Sequence, residues 1–148
     1  MDNKNILIMY GSAEGNSESI AKRIHNEALD FKYSSKLIKL NDFRKDDIFM
    51  KSNIIIIVCS TTGDGDIPEN ATRFYTFIRR TKEKICTGKK YAILGLFYYI
   101  IIRLHFIKAL GDSNYSNFCR AGKRIDARLL ELGGEKFMER GDADDAVG

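Results

Sequence analysis

A chain of 148 residues, 44% hydrophobic and 30% charged, has the size and composition of one globular domain with an ordinary buried core. Its net charge of +4 comes from scattered basic residues with no stripe of interleaved aromatics, which argues against a nucleic-acid partner. The three cysteines, Cys59, Cys86 and Cys119, are odd in number and unrelated in spacing, which argues against a disulfide framework or a metal motif and for a reducing, cytoplasmic setting.

Residues 1–4 lead directly into a strand, so no signal peptide or transit segment is expected. Residues 5–10 form a continuous apolar run of strand length, the pattern of a strand buried on both faces. Asn16 is the expected N-cap of a helix with Glu18 in its first turn. Ile20, Ile24 and Ala28 then recur at helical spacing, toward an end near Lys32. Residues 35–40 alternate as a short strand, and residues 54–59, with four isoleucines and a valine, predict the clearest buried strand of the chain. Pro68 stands where a second helix begins, with Phe74, Phe77 and Ile78 on its inner face. Residues 91–96 predict a fourth strand. Gly122, Ile125, Leu129 and Leu132 mark a last helix, stopped by Gly133 and Gly134. Residues 135–138 read as a fifth short strand, followed by an acidic segment over 141–145. Strand and helix in alternation predict an α/β fold, a parallel sheet with helices on both faces, in one domain over residues 1–148.

Residues 97–110 are out of character, with eleven apolar residues in fourteen. The stretch is shorter than the roughly 20 residues of a membrane span and is interrupted by Arg103 and His105, so no membrane segment is expected.

Three loops carry the chemistry, and each follows a strand. The first, Gly11-Ser12-Ala13-Glu14-Gly15-Asn16-Ser17, offers backbone N–H groups, small hydroxyls and a helix N-terminus to one point, an anion cradle that needs no lysine. It lacks the Gly-Lys-Ser of a P-loop, the glycine spacing of a dinucleotide fold and the acidic residues of a phosphate-receiver domain. A plain glycine and serine turn before a capped helix accounts for the same residues taken alone. The second loop, Ser60-Thr61-Thr62-Gly63-Asp64-Gly65, has glycines that let backbone approach a flat ligand, or is a surface loop. The third, Gly111-Asp112-Ser113-Asn114-Tyr115, carries an aromatic ring that either offers a plate for a planar ligand, at roughly 0.5–1.5 kcal/mol, or is core or surface filler. In parallel sheets ligands bind beyond the carboxyl ends of the strands, where the strand order reverses. Phosphate, close backbone and aromatic plate together point to flavin mononucleotide (FMN).

Other chemistry finds little support. His25 and His105 are the only histidines, and no serine or cysteine has an evident catalytic partner. Asp142, Asp144 and Asp145 lack a matching metal-ligand set elsewhere. With Asp64, Asp66, Glu69 and Asp112 they form either an acidic rim for docking a basic partner or ordinary solvated loop carboxylates.

In these motifs the chain resembles the FMN-binding, flavodoxin-like domain of the diflavin reductases, over nearly all residues except 97–110. Tyr10-Gly11-Ser12 with Gly15, the run Ser60 to Asp66, and Leu110-Gly111-Asp112-Ser113 with Tyr115 and Phe118 carry the likeness. Phe118-Cys119, Gly122-Lys123, Ile125-Asp126, Arg128-Leu129, Glu131-Leu132-Gly133 and Ala143-Asp144-Asp145 favour the methionine synthase reductases over the cytochrome P450 reductases. The resemblance implies a flavodoxin-like three-layer sandwich, with five parallel strands in the order 2-1-3-4-5 and FMN at the switch point. It implies an electron shuttle: FMN takes electrons from an FAD- and NADPH-binding reductase domain and passes them to an acceptor protein, methionine synthase in that family. It assigns Ser12, Ala13, Glu14, Gly15, Asn16 and Ser17 to the FMN phosphate, and Ser60, Thr61, Thr62 and Gly63 to one side of the ring, with the Gly63 backbone bonding flavin N5. Leu110, Gly111, Asp112, Ser113, Asn114 and Phe118 complete the site, with Tyr115 stacked on the other ring face and Asp145 near the ring or ribityl chain.

The sequence departs from the family at three places. Thr62 stands where P450 reductases carry tyrosine, and the chain stops at Gly148, before the family's last helix and its FAD- and NADPH-binding parts. The third is the apolar stretch: joining Leu96 to Gly111 restores the family's uninterrupted run. Two readings of residues 97–110 follow, a translated intron, which sequencing the messenger RNA tests, or an inserted interaction hairpin or helix. A P450 reductase-like or stand-alone flavodoxin-like shuttle, and a truncated chain without bound flavin, are the alternative functions.

Overall fold

The computed structural model describes residues 5–13, 15–61, 66–97, 120–137 and 141–143, with residues 96, 97 and 141–143 described by their backbone. Strand β1 (Asn5–Gly11) leads to helix α1 (Asn16–Asp30) and strand β2 (Ser34–Lys39). Two 3-10 turns and a four-residue helix, α2 (Ile48–Lys51), precede strand β3 (Ile54–Thr61). A 3-10 turn (Glu69–Ala71) runs into helix α3 (Thr72–Arg80), followed by strand β4 (Lys90–Phe97). Helix α4 (Arg120–Glu131) and the short strands β5 (Glu135–Lys136) and β6 (Gly141–Ala143) complete the described chain.

All strand pairings are parallel, and the sheet order is β2-β1-β3-β4-β5, as the resemblance implies. In the register Ile8 lies between Leu37 and Ile56, so β1 is paired on both sides along its apolar run. Because the chain steps from β1 first to β2 on one side and then to β3 on the other, the order reverses at β1 and β3.

Side chains alternate across the sheet and divide the core in two. Ile8, Tyr10 and Val58 pack with Ala21, Ile20 and Ile24 of α1. Leu7, Met9, Ile55, Ile57, Tyr91 and Ile93 pack with Phe49, Phe74, Ile78, Ile125 and Leu129 of α2, α3 and α4. Helix α4 lies on β4 at backbone distance: a Cβ on Gly122 would come 3.0 Å from Gly95 Cα.

The structure corrects three details of the sequence reading. Gly15, not Asn16, is the N-cap of α1; its φ of +85° belongs to the left-handed region that glycine enters without steric cost, and its carbonyl accepts the first helical bond from Ser19 N–H. Helix α1 ends at Asp30, near the expected Lys32, which the turn beyond it holds at φ 66°. The fifth position of the sheet is split, with β5 opposite the start of β4 (Lys90 with Glu135) and β6 opposite its end (Leu96 with Ala143). Strand β4 also runs through Phe97, so the first residue of the apolar stretch belongs to the sheet. Residues 98–110 lie outside the described residues.

The edge where β4 begins is held by cations on helix ends. Lys89 is 5% exposed; its Nζ donates to the carbonyls of Met50 (2.7 Å) and Ser52 (2.6 Å) and lies 5.6 Å from the centre of the Phe49 ring. Arg128 donates to the carbonyls of Ile78 (2.9 Å) and Thr81 (2.8 Å) at the end of α3. Both satisfy carbonyls that have no partner inside their helix, at its negative pole.

Candidate functional site

The site is built from the carboxyl end of β1 upward. Gly11 closes the strand because no side chain fits there: a Cβ would lie 2.8 Å from Ala71 Cβ and 3.1 Å from Cys59 Sγ. The chain then turns through Ser12 and Ala13 to Gly15. The Ser12 hydroxyl accepts the N–H of Gly15 (2.8 Å) and of Ser17 (3.3 Å), so two loop amides aim at one oxygen. The Ser17 hydroxyl, fully buried, meets the Ser60 hydroxyl at 2.5 Å. Beneath them lies Cys59, whose thiol burial pushes up to about 12; it stays protonated and is no nucleophile.

The donors that converge here are amides and hydroxyls at the start of a 15-residue helix, whose first N–H groups have no partner within it. That set suits a phosphate monoester, stabilised by N–H groups and the positive pole of α1. Gly15 leaves open space, since a Cβ there would meet nothing within 4 Å.

The other expected loops are placed by their roots. Thr61 ends β3 opposite Phe97, the end of β4, and its hydroxyl accepts the Ala121 N–H (3.1 Å) at the start of α4. The second loop therefore leaves the fold beside the point where the third returns. Thr61 is 1% exposed and its hydroxyl is taken by α4. Asp142 stands opposite Gly95 on the same edge, and Asp66 is exposed.

Of the expected site residues, Ser12, Ala13, Gly15, Asn16, Ser17, Ser60 and Thr61 are described, and all stand at this carboxyl edge. Glu14, Thr62, Gly63, Leu110, Gly111, Asp112, Ser113, Asn114, Tyr115, Phe118 and Asp145 lie outside the described residues. Sequence reasoning missed two asparagines. Asn70 pairs with Ser12 through both of its amide ends, accepting from Ser12 N–H (2.8 Å) and donating to the Ser12 carbonyl (3.1 Å). Asn41 accepts the Arg73 and Phe74 N–H groups (2.8 and 3.2 Å) and donates to the Glu69 carbonyl (2.9 Å), capping α3 from beyond β2. The nearest signal was Pro68-Glu69-Asn70 before an apolar helix, which reads as an ordinary helix start.

The flavodoxin family pattern matches residues 8–99 and 103–148, and its break falls inside the apolar stretch. The chain belongs to the flavodoxin family. Membership makes FMN the cofactor of this chain and electron transfer its chemistry, and the amides and hydroxyls around Ser12 are groups that suit a phosphate. Flavodoxin 2 from Bacillus cereus superimposes with a TM-score of 0.70 at 28% identity, covering 93% of this chain and 82% of its own. A flavodoxin variant from Pseudomonas aeruginosa gives a TM-score of 0.75 at 21% identity, covering 97% of this chain and 86% of its own, a likeness of fold. Among curated proteins, bovine methionine synthase reductase is 33% identical over 98% of this chain. The sulfite reductase flavoprotein alpha-component of Cronobacter sakazakii is 32% identical over 94% of it. The chain spans 19% and 21% of these two relatives, so the likeness covers their flavodoxin-like part.

His25 has a structural role. His25 Nδ1 hydrogen-bonds the Ser35 hydroxyl at 2.8 Å, tying α1 to β2. Among the described residues no cluster of three metal-ligating side chains occurs, and no helix is long and apolar enough to cross a membrane.

Proposed function

We propose that this chain is the FMN module of an NADPH-dependent diflavin reductase of the methionine synthase reductase kind. The observation that carries the reading is the 33% identity to methionine synthase reductase, extending over 98% of this chain. When bound, FMN supplies the exchange of one electron at a time between an FAD-containing reductase domain and an acceptor protein. The chain's residues hold and shield it. Ser12, Gly15, Asn16 and Ser17, with Ala13 and Glu14 in the same loop, bind the phosphate through amides and hydroxyls. The Ser60 to Gly63 segment flanks the ring, with the Gly63 amide at N5; Tyr115 stacks on the opposite face, and the Leu110 to Asn114 run, Phe118 and Asp145 close the site. The acidic residues Asp66, Glu69 and Asp142 on this edge suit docking of a basic surface near the cofactor.

The comparable identity to the sulfite reductase flavoprotein favours a second reading, the same module serving a different acceptor. Electron delivery from the NADPH-reduced full protein to methionine synthase against sulfite reductase separates the two. The FMN site itself is tested by titrating FMN into the 148-residue chain and following quenching of flavin fluorescence, beside a variant lacking residues 97–110. Saturable binding by both supports the site and makes the apolar stretch a tolerated insertion. Binding by the shortened variant alone marks the stretch as disruptive, and binding by neither refutes the reading for this chain.

A further inference from the structure

We infer that Asn70 is the positioning residue of the phosphate loop, and sets how strongly the chain prefers a flavin that carries a phosphate over one that lacks it. The inference rests on the FMN assignment above. Ser12 has one backbone donor and one backbone acceptor, and the Asn70 side chain, 58 residues away, takes both at 2.8 and 3.1 Å. This is the two-bond exchange of a strand ladder supplied by a side chain. It fixes the peptide planes on either side of Ser12, and with them the direction of the Ser12 hydroxyl.

That hydroxyl is where the Gly15 and Ser17 amides converge, so the geometry of the anion cradle passes through Ser12 to Asn70. Asn70 is itself firmly held. It lies in the 3-10 turn Glu69–Ala71, where Ala71 N–H donates to the Pro68 carbonyl (2.9 Å). The Glu69 carbonyl accepts from Asn41 Nδ2 (2.9 Å) and the Thr72 hydroxyl (3.0 Å). The absent side chain of Gly11 lets Ala71 and its turn approach β1 closely enough for Asn70 to reach Ser12. A cradle held in its binding geometry gives up little conformational freedom when an anion arrives. Without Asn70 the Ser12 peptide groups turn to water, and phosphate binding must restore the loop. In the proposed site the ring contacts belong to residues after β3 and β4 and not to the first loop, so a flavin without phosphate is expected not to feel the loss.

The test titrates FMN and riboflavin into the full chain, its Asn70→Ala variant and its Lys89→Met variant. Lys89→Met is the structural control, because it removes two hydrogen bonds at the opposite end of the strands without touching Ser12 or the turn that holds Asn70. In Asn70→Ala the ratio of FMN to riboflavin affinity is expected to fall about tenfold, as loss of a pair of backbone bonds implies. In Lys89→Met stability drops and the ratio is retained. An unchanged ratio in Asn70→Ala, with the wild type binding FMN, overturns the proposal alone; a wild type that binds neither flavin overturns the FMN assignment and this proposal with it. Should the alanine variant fail to fold, Asn70→Leu, of similar volume, carries the same test. Amide exchange of the flavin-free wild type gives a second readout: the Ser12 N–H is expected to be protected, and free exchange there overturns the clamp.

Discussion

The hydroxyls of Ser17 and Ser60, 43 residues apart in the chain, meet at 2.5 Å where the first turn of α1 crosses the end of β3. Both residues are buried, so each hydroxyl has exchanged water for the other. The bond joins the start of α1, just after the first loop, to the strand from which the second loop departs.

Removing one partner strands the other. Ser17→Ala or Ser60→Ala is expected to cost about 1–3 kcal/mol of unfolding free energy, and the double variant little more than either single one. Urea unfolding of the three variants checks this; fully additive losses would show the two hydroxyls to be independent.

Gly11 and Gly15 bracket the same loop for different reasons. Gly11→Ala drives a methyl to 2.8 Å from Ala71 Cβ and is expected to destabilise by about 1–3 kcal/mol through overpacking. Gly15→Ala meets no atom but forces alanine to φ +85°, at about 1–2 kcal/mol. Pairing Gly11→Ala with Ala71→Gly should recover stability, and no substitution elsewhere should rescue Gly15→Ala by making room. Thermal unfolding of the set distinguishes the two mechanisms.

Alkaline pH should loosen the fold. Burial holds the Cys59 thiol at about 12 and the Cys86 thiol at about 11, against an ordinary 9.0. Both bind their proton more tightly folded than unfolded, so their contribution is complete below pH 9 and is lost as pH climbs through 11 and 12. Tyr91 shifts the same way, through burial and then its hydrogen bond to Asp126. Lys89 opposes them, because burial lowers its pKa and its share of stability grows as pH rises toward 10.5. The raised groups outnumber it. The urea midpoint is expected to fall between about pH 9 and 11, and Cys59→Ala to flatten that fall; a midpoint constant over this range would contradict the assignment.

Lys89→Met keeps the aliphatic stem and leaves the Met50 and Ser52 carbonyls without their donor. A loss of roughly 2 kcal/mol is expected, the scale of a charge-assisted hydrogen bond. FMN affinity should not change, because Lys89 sits where β4 starts and the cradle lies at the far ends of the strands. Unfolding and flavin titration on one sample read both effects.

The parts of this molecule legible in sequence are those whose signal is local. The unbroken apolar runs of β1 and β3 declare strands buried on both faces, and the small residues after Tyr10 declare a turn into a helix. Asn16 misleads because a good capping residue sits next to a glycine that alone tolerates the required φ. The helix α2 is held by Lys89, 37 and 39 residues from the carbonyls it binds, and leaves no periodic pattern in its own four residues. Asn41 and Asn70 act across 28 to 58 residues on backbone groups, and backbone groups have no letter in a sequence. Thr61 is a further case: its hydroxyl takes the Ala121 N–H, 60 residues away, which nothing in its own strand announces.

The bond from Ala121 N–H to Thr61 spans 60 residues, and the pairing of Asn70 with Ser12 spans 58. Closures of such similar sequence separation carry similar loop entropy, so neither end of this carboxyl edge has a head start in folding. During refolding the two ends should therefore order together, with protection of the Ser12 and Ala121 amides returning in one phase.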